Sequence, residues 1–258
     1  MKIIVLVKEV PDTYGDRKLN LETGLAERGA SERVLDEIGE RALEAALSYA
    51  DGAEGTEITV MTMAPGDATA ALRKALGMGA DSAVLVSDDA LAGADLGVTA
   101  KVLAAAVERE GFDLVMTGNV STDGAGGVLP AMLAEHLGVP HMTSLSSVEI
   151  SESTVAGTRV SEGGTASVSA PLPAVVSITE ALPDARLPNF KGIMAARKKP
   201  LSTLTLSDLD VDVDVAASPQ TIMTAVGERP PRSAGVKLVD EGDAGEKLAA
   251  FLIENRLA

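Results

Sequence analysis

The stretch LVMTGNVSTDGAGGVLPAMLAEHL, residues 114–137, decides the fold. It opens on Leu114, Val115 and Met116, a continuous apolar run of the kind that forms a strand buried on both faces. Turn-forming residues fill 117–127, and then Leu129, Met132, Leu133 and Leu137 recur at helical spacing. Gly138 and Pro140 supply the stop. A buried strand, a glycine-rich turn and a helix in that order make one unit of a parallel sheet.

Working outward, the same unit repeats. Residues 3–7, 58–63 and 83–86 are apolar, strand-like runs. Between them Leu43, Ala46, Leu47 and Ala50 fall on one helical face, as do Ala68, Ala71, Leu72, Ala75 and Leu76 behind a candidate N-cap at Asp67. Thr99, Val102, Leu103 and Ala106 mark a further helix. Such alternation implies right-handed crossovers and a mostly parallel, helix-covered, Rossmann-like α/β sheet. After residue 143 the pattern changes to short strands at 148–150, 155–160 and 165–170 around Gly163 and Gly164, a small antiparallel excursion. Residues 173–178 return to a buried-strand pattern. We expect an α/β nucleotide-binding domain over residues 1–200, and over 201–258 an extended C-terminal arm with a terminal helix from about residue 245.

Composition removes several function classes. The chain has 258 residues and no cysteine, so a disulfide framework, a thiolate metal site and a cysteine nucleophile are all excluded. Two histidines, His136 and His141, are too few for an imidazole metal cluster, and no metal site is expected. Thirty-eight acidic side chains against 22 basic ones oppose binding to nucleic acid or to an anionic membrane surface. No apolar run approaches the roughly 18 residues that cross a bilayer. A cytoplasmic protein is expected.

In open parallel sheets ligands bind at the carboxyl ends of the strands. Three such ends carry suggestive residues: 7–12, 62–67 and 117–127. The last is the sharpest. Its glycines let backbone N–H groups approach an anion, the following helix N-terminus adds partial positive charge, and Ser121 and Thr122 supply hydroxyls. A phosphate fits there; an ordinary strand-to-helix turn uses the same residue types. Asp123 suits either a ribose hydroxyl or a helix cap. Glu37, Glu40 and Glu44 read as a solvated helix face. The fingerprints G-x-G-x-x-G, G-K-[ST] and G-x-S-x-G are all absent from the sequence. No acid–base pair stands out, so the chain is expected to bind and position rather than catalyse. Residues 186–199 interleave Leu187, Phe190, Ile193 and Met194 with Arg186, Lys191, Arg197, Lys198 and Lys199. Apolar anchors beside flexible charge suit a docking loop.

At these residues the sequence resembles the beta subunit of electron transfer flavoprotein. The most specific block is Phe190-Lys191-Gly192-Ile193-Met194-Ala195-Ala196-Arg197-Lys198-Lys199-Pro200. Supporting blocks are Val7-Lys8-Glu9-Val10-Pro11-Asp12, Ala75-Leu76-Gly77-Met78-Gly79-Ala80-Asp81, Ser121-Thr122-Asp123-Gly124, Leu172-Pro173-Ala174-Val175-Val176 and Pro231-Arg232-Ser233-Ala234-Gly235-Val236-Lys237. The resemblance implies a non-enzymatic carrier subunit, paired with an alpha subunit that holds most of an FAD. The pair would take electrons from acyl-CoA dehydrogenases of fatty acid oxidation, and from related dehydrogenases, and pass them to a quinone oxidoreductase. It further implies a structural AMP contacted by Leu6, Lys8, Val34, Leu35, Asp36, Met63, Asn119, Val120, Ser121, Thr122, Asp123, Gly124, Ala125, Gly126, Gly127 and Val128. Leu187, Phe190, Ile193, Met194, Arg197, Lys198 and Lys199 would lie in a partner-docking loop spanning about 180–200. The family's Asn-Pro-Phe/Tyr reads Arg33-Val34-Leu35 here, a departure at the expected adenine contacts, and the family's loop glutamine is missing; the missing glutamine favours AMP over the second FAD of electron-bifurcating relatives. A non-redox nucleotide-binding signalling module is the remaining alternative.

Overall fold

Residues 1–258 are described by a computed structural model except for 16, 213–220, 233 and 258. Two compact units are present, Met1–Thr224 and Ala225–Ala258. The second unit contains a helix over Ala244–Glu254, at the place expected for the terminal helix. Residues 213–220 of the expected C-terminal arm, and Ser233, lie outside the described residues.

The first unit is built on one twisted sheet. Its first half alternates β1 (Lys2–Leu6), α1 (Glu37–Ala50), β4 (Glu57–Met63), α2 (Thr69–Met78), β5 (Ser82–Val86), α3 (Leu96–Glu110), β6 (Leu114–Gly118) and α4 (Leu129–Leu137). A two-stranded ribbon of β2 (Glu9–Pro11) and β3 (Arg33–Leu35) is inserted between β1 and α1. Then come β7 (His141–Ile150), β8 (Thr154–Ser161), β9 (Gly164–Pro171), β10 (Ala174–Ile178), α5 (Phe190–Ala196), β11 (Leu201–Leu204) and α6 (Leu206–Leu209); α7 (Ala244–Glu254) closes the chain. The nine strands run β11-β5-β4-β1-β6-β10-β7-β8-β9, parallel as far as β7 and antiparallel beyond it.

The continuous apolar runs are buried because both faces of the sheet are covered. Ile3 and Val5 point into a core with α1 and α2, while Ile4 and Leu6 point into a second core with α3 and α4. Leu43, Ala46, Leu72, Ala75 and Leu76, expected on helical faces, are all buried. Each large side chain so buried contributes about 1.5–3 kcal/mol.

Three local differences from the expected pattern have physical causes. Asp67 does not cap α2, whose N-cap is Ala68; its carboxylate instead accepts from Arg33 Nη2 at 2.9 Å. The excursion expected after residue 143 is continuous with the main sheet, because β7 pairs with β10 through Met142 and Leu145 and then with β8 from Ser147 to Ile150. Its serines hide the strand from a hydrophobicity reading. The boundary expected at 200/201 falls just before β11, an edge strand that pairs with β5 from Leu201 to Leu204.

Candidate functional site

Chain direction over the sheet reverses at β1: the first crossovers lead to β4 and β5 on one side, and β6, β10 and β7 lie on the other. A cavity of about 560 Å³ opens at the carboxyl ends of β1, β4 and β6, where that reversal leaves a crevice. Leu6, Lys8, Met63, Asn119, Ser121, Gly124, Gly126 and Gly127 line it, as does Asp36 at the start of α1. Gly118 is required at its floor. A Cβ there would lie 2.5 Å from Ile38 Cγ2, so only glycine lets the end of β6 meet the start of α1.

The charged groups are arranged around Asp123. Lys8 Nζ donates to Asp123 Oδ1 at 2.7 Å and lies 3.4 Å from Ser121 Oγ, and Arg28 Nη1 donates to Asp123 Oδ2 at 3.1 Å. Burial opposes ionisation of Asp123, but the bond and charge of Lys8, with Ser121 and Arg28, outweigh it and hold the carboxyl at about 2. Asp123 caps no helix, since the N-cap of α4 is Val128. Its two cations face the cavity, so the site offers two basic side chains that share one carboxylate.

Asp36 is the second unusual group. It is 2% exposed. Its Oδ2 accepts from the Thr122 amide at 2.9 Å, which ties the glycine-rich loop to α1, while Oδ1 is buried without a hydrogen-bond partner. Burial pushes its pKa up, the Thr122 amide opposes that, and the charge of Asp123 adds to it. An orphaned acceptor on a cavity wall is satisfied by a ligand or by water.

Several of the residues expected here stand elsewhere. Leu35 is packed in the hydrophobic core, and Val34 lies on the ribbon outside the cavity lining. The side chains of Val120 and Val128 are exposed, and neither they nor Ala125 line the cavity; Thr122 serves through its amide. The loop turns outward at these positions, and Ala125 takes φ +48°. Arg28, Asp95, Leu96, Thr99 and Thr221 line the cavity although the sequence marked none of them as a site residue. Arg28 and Thr221 come from segments with no hydrophobic periodicity, so only the closed fold brings them in.

A second cavity of about 560 Å³ adjoins the first and shares Lys8, Arg28, Met63 and Ala94 with it.

On another part of the unit, α5 presents Phe190, 80% exposed, and with it Ile193, Met194 and, just before the helix, Leu187. Asn189 caps α5 by accepting from the Gly192 amide at 2.8 Å. Arg197 and Lys198 are exposed beside this patch, but Lys199 is not part of it. Its Nζ donates to the carbonyls of Leu76, Gly79 and Ala80 at 3.2, 3.0 and 2.5 Å, where α2 ends and its carbonyls need donors. Arg73 Nη1 reaches back from α2 to the carbonyls of Ala196 and Lys199 at 2.6 and 2.9 Å. The approach to α5 is held by Arg186, bidentate to Glu44 at 2.8 Å on both arms and bonded to Asp51 at 2.8 Å. Burial alone would raise the Glu44 carboxyl, yet the bonds from Arg186, with Ser48, hold it below the usual range. Glu40 likewise pairs with Lys74. Of the three glutamates read as a solvated face, Glu40 and Glu44 are therefore engaged.

Comparison with known proteins matches residues 23–209 to the electron transfer flavoprotein domain family. The chain is 43% identical over 264 residues to the electron transfer flavoprotein subunit beta of Mycobacterium leprae, covering 99% of this chain and 98% of that one. It is 34% identical to the corresponding subunit of Bacillus subtilis, covering 96% and 94%. It is also 32% identical to a caffeyl-CoA reductase–Etf complex subunit of Acetobacterium woodii, covering 98% and 97%.

Proposed function

Because the chain belongs to the electron transfer flavoprotein family, as a beta subunit, we propose that it is the carrier subunit of a heterodimer whose FAD is held mostly by the alpha subunit. That pair takes electrons from acyl-CoA and related dehydrogenases and hands them to a quinone oxidoreductase. When bound, the flavin supplies the redox chemistry. This chain supplies a nucleotide cavity, a docking patch and an arm. Among the described residues no helix is long and apolar enough to cross a membrane, and no group of three or more His, Asp or Glu suits a metal ion.

The observation that carries the nucleotide reading is the cavity at the sheet reversal, which joins two cations, a glycine-rich loop and one orphaned acceptor. Its size lies within the roughly 300–1,000 Å³ typical of small-ligand sites. AMP fits that donor set: Lys8, Arg28 and the amides of the 119–128 loop suit the phosphate, and Asp36 Oδ1 suits a hydroxyl or amino donor of the nucleoside. The adjoining second cavity favours one further reading, a bifurcating component in which a second FAD replaces AMP and extends past Lys8 and Arg28. Acid release from the purified pair separates the two: one FAD with one AMP supports the carrier, two FAD with no AMP the bifurcating component, and no nucleotide refutes both.

The exposed patch on α5 supports docking of a dehydrogenase. Phe190→Ala is expected to slow electron uptake from a dehydrogenase about tenfold or more while FAD content stays unchanged. An unchanged rate refutes the anchor.

A further inference from the structure

The nucleotide cavity has a wall that comes from a distant part of the chain. Thr221 lines it together with Asp95, Leu96 and Thr99, which belong to the start of α3. Asp95 works in two directions. Its Oδ1 accepts from the Val98 amide at 2.9 Å and caps α3, while its Oδ2 accepts from both the amide and the hydroxyl of Thr221, at 3.1 and 3.0 Å. Two residues further on, Met223 is laid against Gly24. A Cβ at that glycine would lie 2.7 Å from Met223 Cε and 2.8 Å from Cγ, and Gly24 adopts φ +70°. Leu25, beside it, packs 3.7 Å from the Cβ position of Gly93.

Residues 221–223 therefore join two rim segments, the loop that leads to Arg28 and the loop that leads to Asp95. The attachment is small. Ile222 and Met223 are 75% and 58% exposed, so the segment lies on the surface. Among the described residues, two hydrogen bonds to Asp95 and one methionine side chain hold the segment, enough to keep it closed without making it permanent.

Resting on the reading of this cavity as a nucleotide site, we propose that residues 221–223 are a latch over it: nucleotide leaves when Thr221 releases Asp95 and Met223 lifts from Gly24. The latch is followed by Thr224, the last residue of the first unit.

The test uses the assembled alpha–beta pair loaded with labelled AMP and measures its release after dilution into excess unlabelled AMP. Thr221→Val removes one hydroxyl donor to a carboxylate and is expected to speed release about tenfold. Thr221→Ser should restore the slow rate. Thr221→Val combined with Met223→Ala should be faster again, with FAD content unchanged in every variant. In the wild type, AMP should slow hydrogen exchange at the Thr221 amide. Release within about twofold of wild type in the double variant, with AMP still bound, overturns the latch and leaves the nucleotide site standing. A wild-type pair that binds no AMP refutes the AMP reading and the latch with it.

Discussion

Lys199 distinguishes an internal fastening from a docking charge, and the difference is measurable. Replacing it by Met keeps the apolar stem and removes an ammonium that bridges the last turn of α2 to the end of α5. A hydrogen bond to a charged group contributes about 1.5–3 kcal/mol. The three here share one ammonium, and water can reach part of the site, so the sum is far from additive. A loss of about 2–3 kcal/mol follows, confined to the α2–α5 junction. The assay is amide hydrogen exchange in the assembled protein, read at α5 and the last turn of α2. Exchange there should rise by ~30- to 150-fold, since each 1.4 kcal/mol is one decade. Lys198→Met, a few ångströms of chain away but exposed, should change exchange less than twofold; what it should change is the salt dependence of association with a dehydrogenase. If the two variants behave alike, either in exchange or in association, the assignment of Lys199 to the interior is wrong.

Asp123 is ionised down to about 2 in the folded chain, against an ordinary value of 3.8. A depressed carboxyl adds stability that is fully present above the ordinary value and is lost as pH falls toward the folded one. Acid titration should therefore show a loss of about 2 kcal/mol between pH 4 and 2 that disappears in Asp123→Asn. Asp36 has the opposite sign: its raised pKa means that ionisation at neutral pH costs stability. Asp36→Asn should melt at or above the wild-type temperature at pH 7 and below it only if the carboxylate is needed to hold the Thr122 amide. Gly192 faces the Gly77 carbonyl so closely that a Cβ cannot be accommodated. Gly192→Ala should cost about 1–3 kcal/mol by thermal melting and weaken dehydrogenase docking by displacing Phe190; a neutral result would show that α5 shifts freely.

Family and fold class were legible in the sequence because they rest on local patterns. Residues 3–7, 83–86 and 114–116 are apolar without alternation, and 58–63 is broken only by Thr59 and Thr62; a sheet covered on both faces explains such runs, and helical faces such as Ala71, Leu72 and Ala75 lie between them. The glycine-rich loop before Leu129 was legible as the turn between β6 and α4, and part of it lines the cavity. The exposed position of Phe190 was legible too, as an aromatic among cations. Beyond this, sequence patterns could not say which charges meet. Asp123 suited a helix cap as well as a ribose hydroxyl, Glu44 looked like a solvated side chain, Lys199 like one more docking cation and Asp67 like an N-cap.

Each of these assignments was decided by tertiary structure, because a long charged side chain has no periodicity and takes its role from whatever the folded chain brings within about 3 Å. Arg28 and Thr221 reach the cavity from segments that are 193 positions apart in sequence, and Lys199 reaches Leu76 across 123. Local apolar spacing determines which elements form, since burial of a face is a property of each element. Closure of the sheet order determines which cation, carboxylate and carbonyl become neighbours, since that is a property of the whole chain.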